Sequence, residues 1–138
     1  KESRFDMPDN FLPIKTVEGW QLSNPPILSL AAIRASLDIF DEVGMDRLVA
    51  KSKIMTDYLM FLLNSIRTDR IEVITPEARG CQVSIRVIDA NKKLFDQISS
   101  KGVIADWREP DVIRVAPVPL YNSFLDIFKF YNILRKLL

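Results

Sequence analysis

Near residue 70 the apolar residues of this sequence switch their spacing, and no other feature restricts its fold as much. Before that point they recur every three or four positions. Leu48, Met55, Leu59, Leu62 and Ile66, with Ser52 in the same row, line one side of a helix predicted over 45–66. Ile54, Tyr58 and Phe61 widen that face, which requires burial against more than one neighbour. After residues 67–70 the spacing drops to two. Cys81, Val83, Ile85 and Val87 alternate with Gln82, Ser84 and Arg86, because strand side chains point alternately to two faces and only one is buried. A shorter strand over 71–75 and a turn over 76–80 lead into it, so the two strands are expected to pair as a hairpin.

Asn91 then stands as a cap for a helix over 92–101, with Leu94, Phe95 and Ile98 facing inward and Gly102 closing it. A short strand is expected over 103–105 and another over 112–116. A final helix over 124–138 is expected to bury Phe124, Ile127, Phe128, Tyr131 and Leu134, with Lys136 suited to the negative end of its dipole. From about Lys51 the order is therefore helix, strand, strand, helix, strand, strand, helix. That order predicts an α+β fold, a small antiparallel sheet of three to four strands covered on one face by helices.

Ahead of it, residues 1–23 are polar and broken by Pro8 and Pro13, and read as loop with at most a short strand over 14–17. So long an irregular lead-in is unusual in an isolated domain and implies packing on a neighbour. Pro25 and Pro26 suit the first turn of a helix, with Asn24 placed as its cap. Leu30, Ile33, Leu37 and Phe40 make one stripe of that helix, Arg34, Asp38 and Asp41 face away, and Gly44 ends or hinges it. The two helices on either side of Gly44 form a long helical spine leading into the sheet.

Residues 106–124 form the most distinctive local unit. Arg114 lies on the opposite strand face from Ile113 and Val115. Pro117 and Pro119 stop the ladder, since proline has no N–H to give. Ser123 with Asp126 three residues on makes a capping box that starts the last helix. Asp106, Arg108 and Asp111 are expected to hold this strand–turn–helix corner by local hydrogen bonds. One arginine is thereby aimed off the sheet.

Composition bounds what such a corner can do. The 138 residues suffice for one domain with its own core. There is no histidine, which removes Ser-His and Cys-His nucleophile chemistry and most zinc sites, so no metal ligands are assigned. The single cysteine, Cys81, excludes an internal disulfide, fits a reducing compartment and reads as a small buried hydrophobe. A net charge of +1 gives no case for nucleic acid or an anionic membrane. No apolar run approaches the ~20 residues of a membrane span, and no secretory signal is visible, which points to the cytoplasm. The chain opens on Lys1 rather than Met, as a piece of a longer protein would.

Three separated runs carry a resemblance. Pro110-Asp111-Val112-Ile113-Arg114 with Pro119-Leu120-Tyr121 resembles the C-terminal region of kynureninase, a hydrolase of the aspartate-aminotransferase fold type that depends on pyridoxal phosphate. Gly19-Trp20-Gln21-Leu22-Ser23-Asn24-Pro25-Pro26-Ile27-Leu28 resembles that family's segment closing over the cofactor, and Arg79-Gly80-Cys81-Gln82-Val83-Ser84 its central strand of the small domain. Some relatives carry Gly-Thr where this chain has Ser23-Asn24, and some lack the Asn122-Ser123 pair. The resemblance implies that residues 51–138 are the C-terminal small domain and that residues 1–50 are a lead-in loop and linking helix packing on a large domain outside this chain. It implies further that the Schiff-base lysine and the aspartate on the pyridine nitrogen lie upstream of residue 1. No lysine here matches that motif, Lys15, Lys51 and Lys53 included, so no catalytic residue is assigned and the chain alone is expected to be inactive. The substrate implied is a small amino acid, kynurenine or its 3-hydroxy form, and the assembly implied is a homodimer.

Each candidate residue also has a plainer reading. Arg114 is either a strand arginine in water or a structural ion pair, or, as the resemblance implies, the group that binds the substrate α-carboxylate through two parallel bonds. Asn24 and Ser23 either cap a helix or, as the resemblance implies, lie at the substrate, with Asn24 at the cofactor as well. Trp20, Trp107 and Tyr121 read as packing residues, and Arg79-Gly80 as turn chemistry. Two rivals to the kynureninase reading stand beside it. One is another class V pyridoxal-phosphate enzyme, an aminotransferase or a cysteine desulfurase, although a desulfurase needs its cysteine in a mobile loop and Cys81 is expected in a strand. The other is a free-standing α+β ligand-binding module, which the unpacked lead-in argues against.

Overall fold

The computed structural model describes residues 6–7 and 9–138; Pro8 and the first five residues of the expected loop lie outside them. The chain divides into two compact units, Lys1–Glu42 and Val43–Leu138.

In the first unit the expected strand over 14–17 does not form. Gly19 N bonds back to Thr16 O at 3.0 Å, and the Thr16 hydroxyl turns onto the Glu18 carboxylate. These local bonds give a short 3-10 turn, Val17–Trp20, in place of a ladder. Helix α1 spans Ile27–Val43. Its first bond runs from Leu30 N to the Pro26 carbonyl at 3.0 Å, so Pro26 and not Asn24 stands at the cap position. Arg34 and Asp38 pair at 2.8 Å along its polar side, and the stripe of Leu30, Ile33, Leu37 and Phe40 remains exposed.

The second unit has the order α2 (Met45–Ser65), β1 (Ile71–Val73), β2 (Val83–Val87), α3 (Lys92–Ser100), β3 (Asp106–Arg108), β4 (Val112–Val115) and α4 (Phe124–Leu137). The strands form one antiparallel sheet in the order β1-β2-β4-β3. Val83, Ile85 and Val87 of β2 and Ile113 and Val115 of β4 face the helices, where they join Met55, Leu59, Leu63, Ile98, Ile127 and Leu134 in one core. The other face of the sheet carries Ser84, Arg86, Val112 and Arg114 and is not buried. Gly44 and Gly102 both sit at positive φ, +85° and +86°, and so supply the left-handed residues that separate α1 from α2 and end α3. Asn91 caps α3 through Lys93 N, as expected. Among the described residues no helix is long and apolar enough to cross a membrane.

Several expected boundaries move, and Pro117 accounts for two. At the observed register of β2 with β4, Cys81 would lie opposite Pro117, so β2 starts at Val83 and Cys81 falls in the bend before it, half-buried. At the register of β3 with β4, residues 103–105 would lie opposite 115–117; the strand expected there is replaced by one at Asp106–Arg108. β1 stops at Val73 because the Thr75 hydroxyl, not a backbone carbonyl, takes Ser84 N at 2.7 Å. Two helix faces are also rotated from expectation. On α2, Thr56 and Leu63 are buried while Ile54 and Phe61 stay exposed. On α4, Phe130 is buried with Ile127, Tyr131 and Leu134, and Phe124 and Phe128 flank the contact half-exposed. A stripe at i, i+3, i+4, i+7 leaves Phe128 about a quarter-turn off the inward direction.

Candidate functional site

Arg114 sits on β4, which is paired on both sides. Ser84 of β2 lies opposite it on one side and Asp106 of β3 on the other. Its neighbours Ile113 and Val115 point into the core, so its own side chain stands on the uncovered face. There it meets its cross-strand partner. Arg114 Nε donates to Asp106 Oδ2 at 2.8 Å, and Arg114 Nη2 donates to the same oxygen. Arg108 Nε reaches that oxygen as well, at 3.0 Å. One carboxylate thus bridges two guanidiniums. The hydrogen bond from Arg114, with the charges of both arginines, holds the Asp106 carboxyl below its ordinary value of 3.8, against the opposing effect of burial. The Arg114 side chain is 30% exposed, and among the described residues its Nη1 has no hydrogen-bonding partner.

A second charged row lies beside the first. Arg86 pairs with Asp111 at 3.0 Å and more loosely with Glu72 at 3.7 Å, and the Asp111 carbonyl accepts Val87 N at 2.9 Å. Asp106 and Arg108 therefore brace the corner locally as expected, whereas Asp111 ties it to β2 through Arg86 and Val87 rather than by a local bond. Exposed pairs of this kind add little stability singly, so their effect is to fix directions.

Beyond β4 the chain turns sharply into α4. Val118 N donates to Asn122 Oδ1 at 2.9 Å, and Asn122 N to Val118 O at 2.9 Å. The capping box forms, with Ser123 N donating to Asp126 Oδ2 at 2.8 Å and Asp126 N to Ser123 Oγ at 3.3 Å. The bonds that Ser123 N and Ser123 Oγ donate to its carboxylate lower the Asp126 carboxyl from its ordinary value. The loop is further held by Lys51 of α2, whose Nζ donates to Pro119 O at 2.6 Å and Asn122 O at 3.2 Å. In the sequence Lys51 figures only as a lysine that does not match the Schiff-base motif. The signal was there: Lys51 is three residues after Leu48 and four before Met55, in the row that faces inward.

A cleft of about 780 Å³ opens on the helical side, between α4, the linker after α3 and the end of β4. Leu59, Val115, Pro117, Asn122 and Phe128 line it, and Arg114 does not. This cleft and the candidate anchor are thus on different faces of the sheet.

Ser23 and Asn24 belong to the first unit and are exposed; the Ser23 carbonyl accepts Gln21 Nε2 at 2.7 Å. Trp107 packs on Phe95 at 6.1 Å as a packing residue should, and Tyr121 is largely exposed, contrary to expectation; Trp20, in the lead-in expected to pack on a domain outside this chain, is exposed within it. Arg79 makes its turn through the Glu77 carbonyl at 2.9 Å and also reaches Asp57 of α2 at 2.5 Å.

The model of the family described as kynureninase C-terminal domain matches residues 48–134. This chain belongs to that family. A kynureninase of Koribacter versatilis is 50% identical over 133 residues, which cover 94% of this chain and 31% of the relative. Kynureninases of Flavobacterium johnsoniae and Stenotrophomonas maltophilia are 49% and 48% identical, over 99% and 93% of this chain and 33% and 32% of theirs. The chain thus spans about a third of the length of these curated relatives. A solved structure described as a NIFS-like protein shares the fold, with a TM-score of 0.69 at 14% identity over 96% of this chain and 40% of its own. Cys81 in a bend no longer argues against a desulfurase as a strand position would; the kynureninase family match replaces that argument.

Proposed function

We propose that this domain serves as the C-terminal part of a pyridoxal-phosphate-dependent kynureninase, and that Arg114 binds the α-carboxylate of its substrate. The observation that carries the reading is the posture of Arg114: a guanidinium on a doubly paired strand, one edge held by Asp106, with Nη1 and part of its outer end open. A planar fork fixed in this way can grip a carboxylate with two parallel hydrogen bonds. The reaction is hydrolytic cleavage of a carbon–carbon bond in the side chain of kynurenine or 3-hydroxykynurenine, giving anthranilate or 3-hydroxyanthranilate and alanine. When bound, the cofactor supplies the electron sink for that cleavage.

The residues present fit a share of this work and not all of it. Asn24 is exposed, and its amide can both donate to and accept from an oxygen of cofactor or substrate, with Ser23 beside it at the substrate. The lysine that holds the cofactor belongs to the part of the enzyme outside this chain, so the chain alone is inactive. The exposed stripe on α1 and the lead-in before it pack on that large domain, and the enzyme acts in the cytoplasm as a homodimer, in tryptophan catabolism and NAD synthesis.

The test is kcat/KM of the full-length enzyme for wild type, Arg114→Lys and Arg114→Leu, each checked for cofactor content. A hydrogen bond to a charged group contributes about 1.5–3 kcal/mol, so the leucine variant is expected to lose roughly tenfold to a hundredfold. The lysine variant, a point charge without the fork, falls between. Cofactor content stays at the wild-type level. Equal activity of the three enzymes refutes the assignment.

A further inference from the structure

Arginine reaches its ligand on a long, freely rotating side chain, and a strand fixes only where that side chain begins. β4 sets the Arg114 backbone, and Ile113 and Val115 set which face it uses, but neither sets the plane of the guanidinium. Among the described residues one group bonds that plane. Asp106, its direct cross-strand neighbour, takes Nε and Nη2 on a single oxygen. A guanidinium has five N–H donors. These two bonds use the side edge and leave three donors, of which the outer one on Nη1 and the outer one on Nη2 form the end-on fork. Asp106 is itself tethered on that same oxygen by Arg108 of its own strand at 3.0 Å, so it cannot simply follow a moving arginine.

We infer that Asp106 is a positioning residue for Arg114: by holding the Nε–Nη2 edge it aims the end-on fork at the ligand carboxylate. This rests on the reading of Arg114 as carboxylate anchor. The alignment has an electrostatic counterweight. The negative charge of Asp106 opposes a second carboxylate nearby, and Arg108 offsets it. Alignment and charge therefore act with opposite sign on ligand affinity, and removing Asp106 reveals which dominates.

The experiment compares kcat/KM for kynurenine with that for its α-carboxamide, in full-length holoenzymes carrying Asp106→Ala, Asp106→Glu or Arg114→Leu, with cofactor content and thermal midpoint measured for each. The acid-to-amide ratio reads carboxylate recognition and does not move with general stability. Misaligning a binding group by about an ångström is worth up to a hundredfold, so Asp106→Ala is expected to lower the ratio at least about tenfold at unchanged cofactor content. If Asp106→Ala loses cofactor, Asp106→Glu carries the same comparison, because it keeps the charge and shifts the oxygen by one methylene; the same fall is expected. A wild-type ratio in the Asp106 variants beside a collapsed ratio in Arg114→Leu overturns the inference and leaves the anchor standing. A ratio raised by Asp106→Ala also overturns it, since Asp106 would then act only as an opposing charge. A wild-type ratio in Arg114→Leu sinks the anchor itself.

Discussion

Replacing Lys51 with methionine tests whether the corner behind Arg114 is held from α2. Methionine has similar length and helix propensity, so α2 and its packing are preserved while both hydrogen bonds to the loop are lost. Those bonds run to Pro119 O at 2.6 Å and Asn122 O at 3.2 Å from a half-buried ammonium. Two hydrogen bonds from a charged donor amount to about 3–6 kcal/mol if nothing replaces them. Here water can reach both half-buried carbonyls, and the lysine no longer has to be ordered, which returns about 2 kcal/mol of rotamer entropy. The net loss is therefore set at about 1–2 kcal/mol, equivalent to a five- to thirtyfold rise in loop opening. Amide exchange over residues 117–123 of the full-length enzyme should speed up by that factor. KM for kynurenine should rise several-fold with kcat nearly unchanged, because the loop continues directly from the strand that carries Arg114. Wild-type exchange and wild-type KM together would refute the reasoning and make Lys51 a surface residue that merely touches the loop.

Ser123→Ala removes the acceptor for Asp126 N and should cost about 0.5–2 kcal/mol of stability, read as a lower denaturant midpoint, with no change in the acid-to-amide ratio. Asp106 has a lowered pKa in the folded state, so its contribution is complete above the unfolded value of 3.8 and is lost as pH falls through the folded value. The difference in denaturant midpoint between wild type and Asp106→Asn should accordingly stay constant from pH 8 to 5 and shrink only below about 4. A difference that changes between pH 5 and 8 would mean that another group controls the pair.

What was legible in the sequence was what local chemistry decides. The alternation through Val83, Ile85 and Val87, the cap at Asn91, the capping box at Ser123 and the side on which Arg114 stands all depend on neighbours a few residues away, and all are present. What was not legible depends on partners distant along the sequence. The ends of β2 and β3 are set by where Pro117 falls in a register that involves residues thirty or more positions apart for β2 and about ten for β3. Phe130 is chosen over Phe128 because of where α4 sits against α2 and the core, which the count of apolar residues on the helix cannot fix. The pairs Arg114–Asp106 and Lys51–Pro119 follow the same rule. Arg114 and Asp106 were each singled out in the sequence and Lys51 lies in the inward row, but which group each would meet was fixed only by the register and the loop path. The roles proposed for Ser23 and Asn24 involve groups outside this chain, so the sequence around them could not decide those roles.

The strand order β1-β2-β4-β3 has a consequence for how the domain behaves in a crowded solution. The strands with the apolar rows, Val83–Val87 and Val112–Val115, are the two inner ones, so neither offers an open backbone edge. The outer strands, Ile71–Val73 and Asp106–Arg108, are three residues each and carry Glu72, Asp106 and Arg108. Short, charged borders are poor templates for another chain to add to. The same charges that orient the arginine therefore also keep one copy of the sheet from growing onto the next.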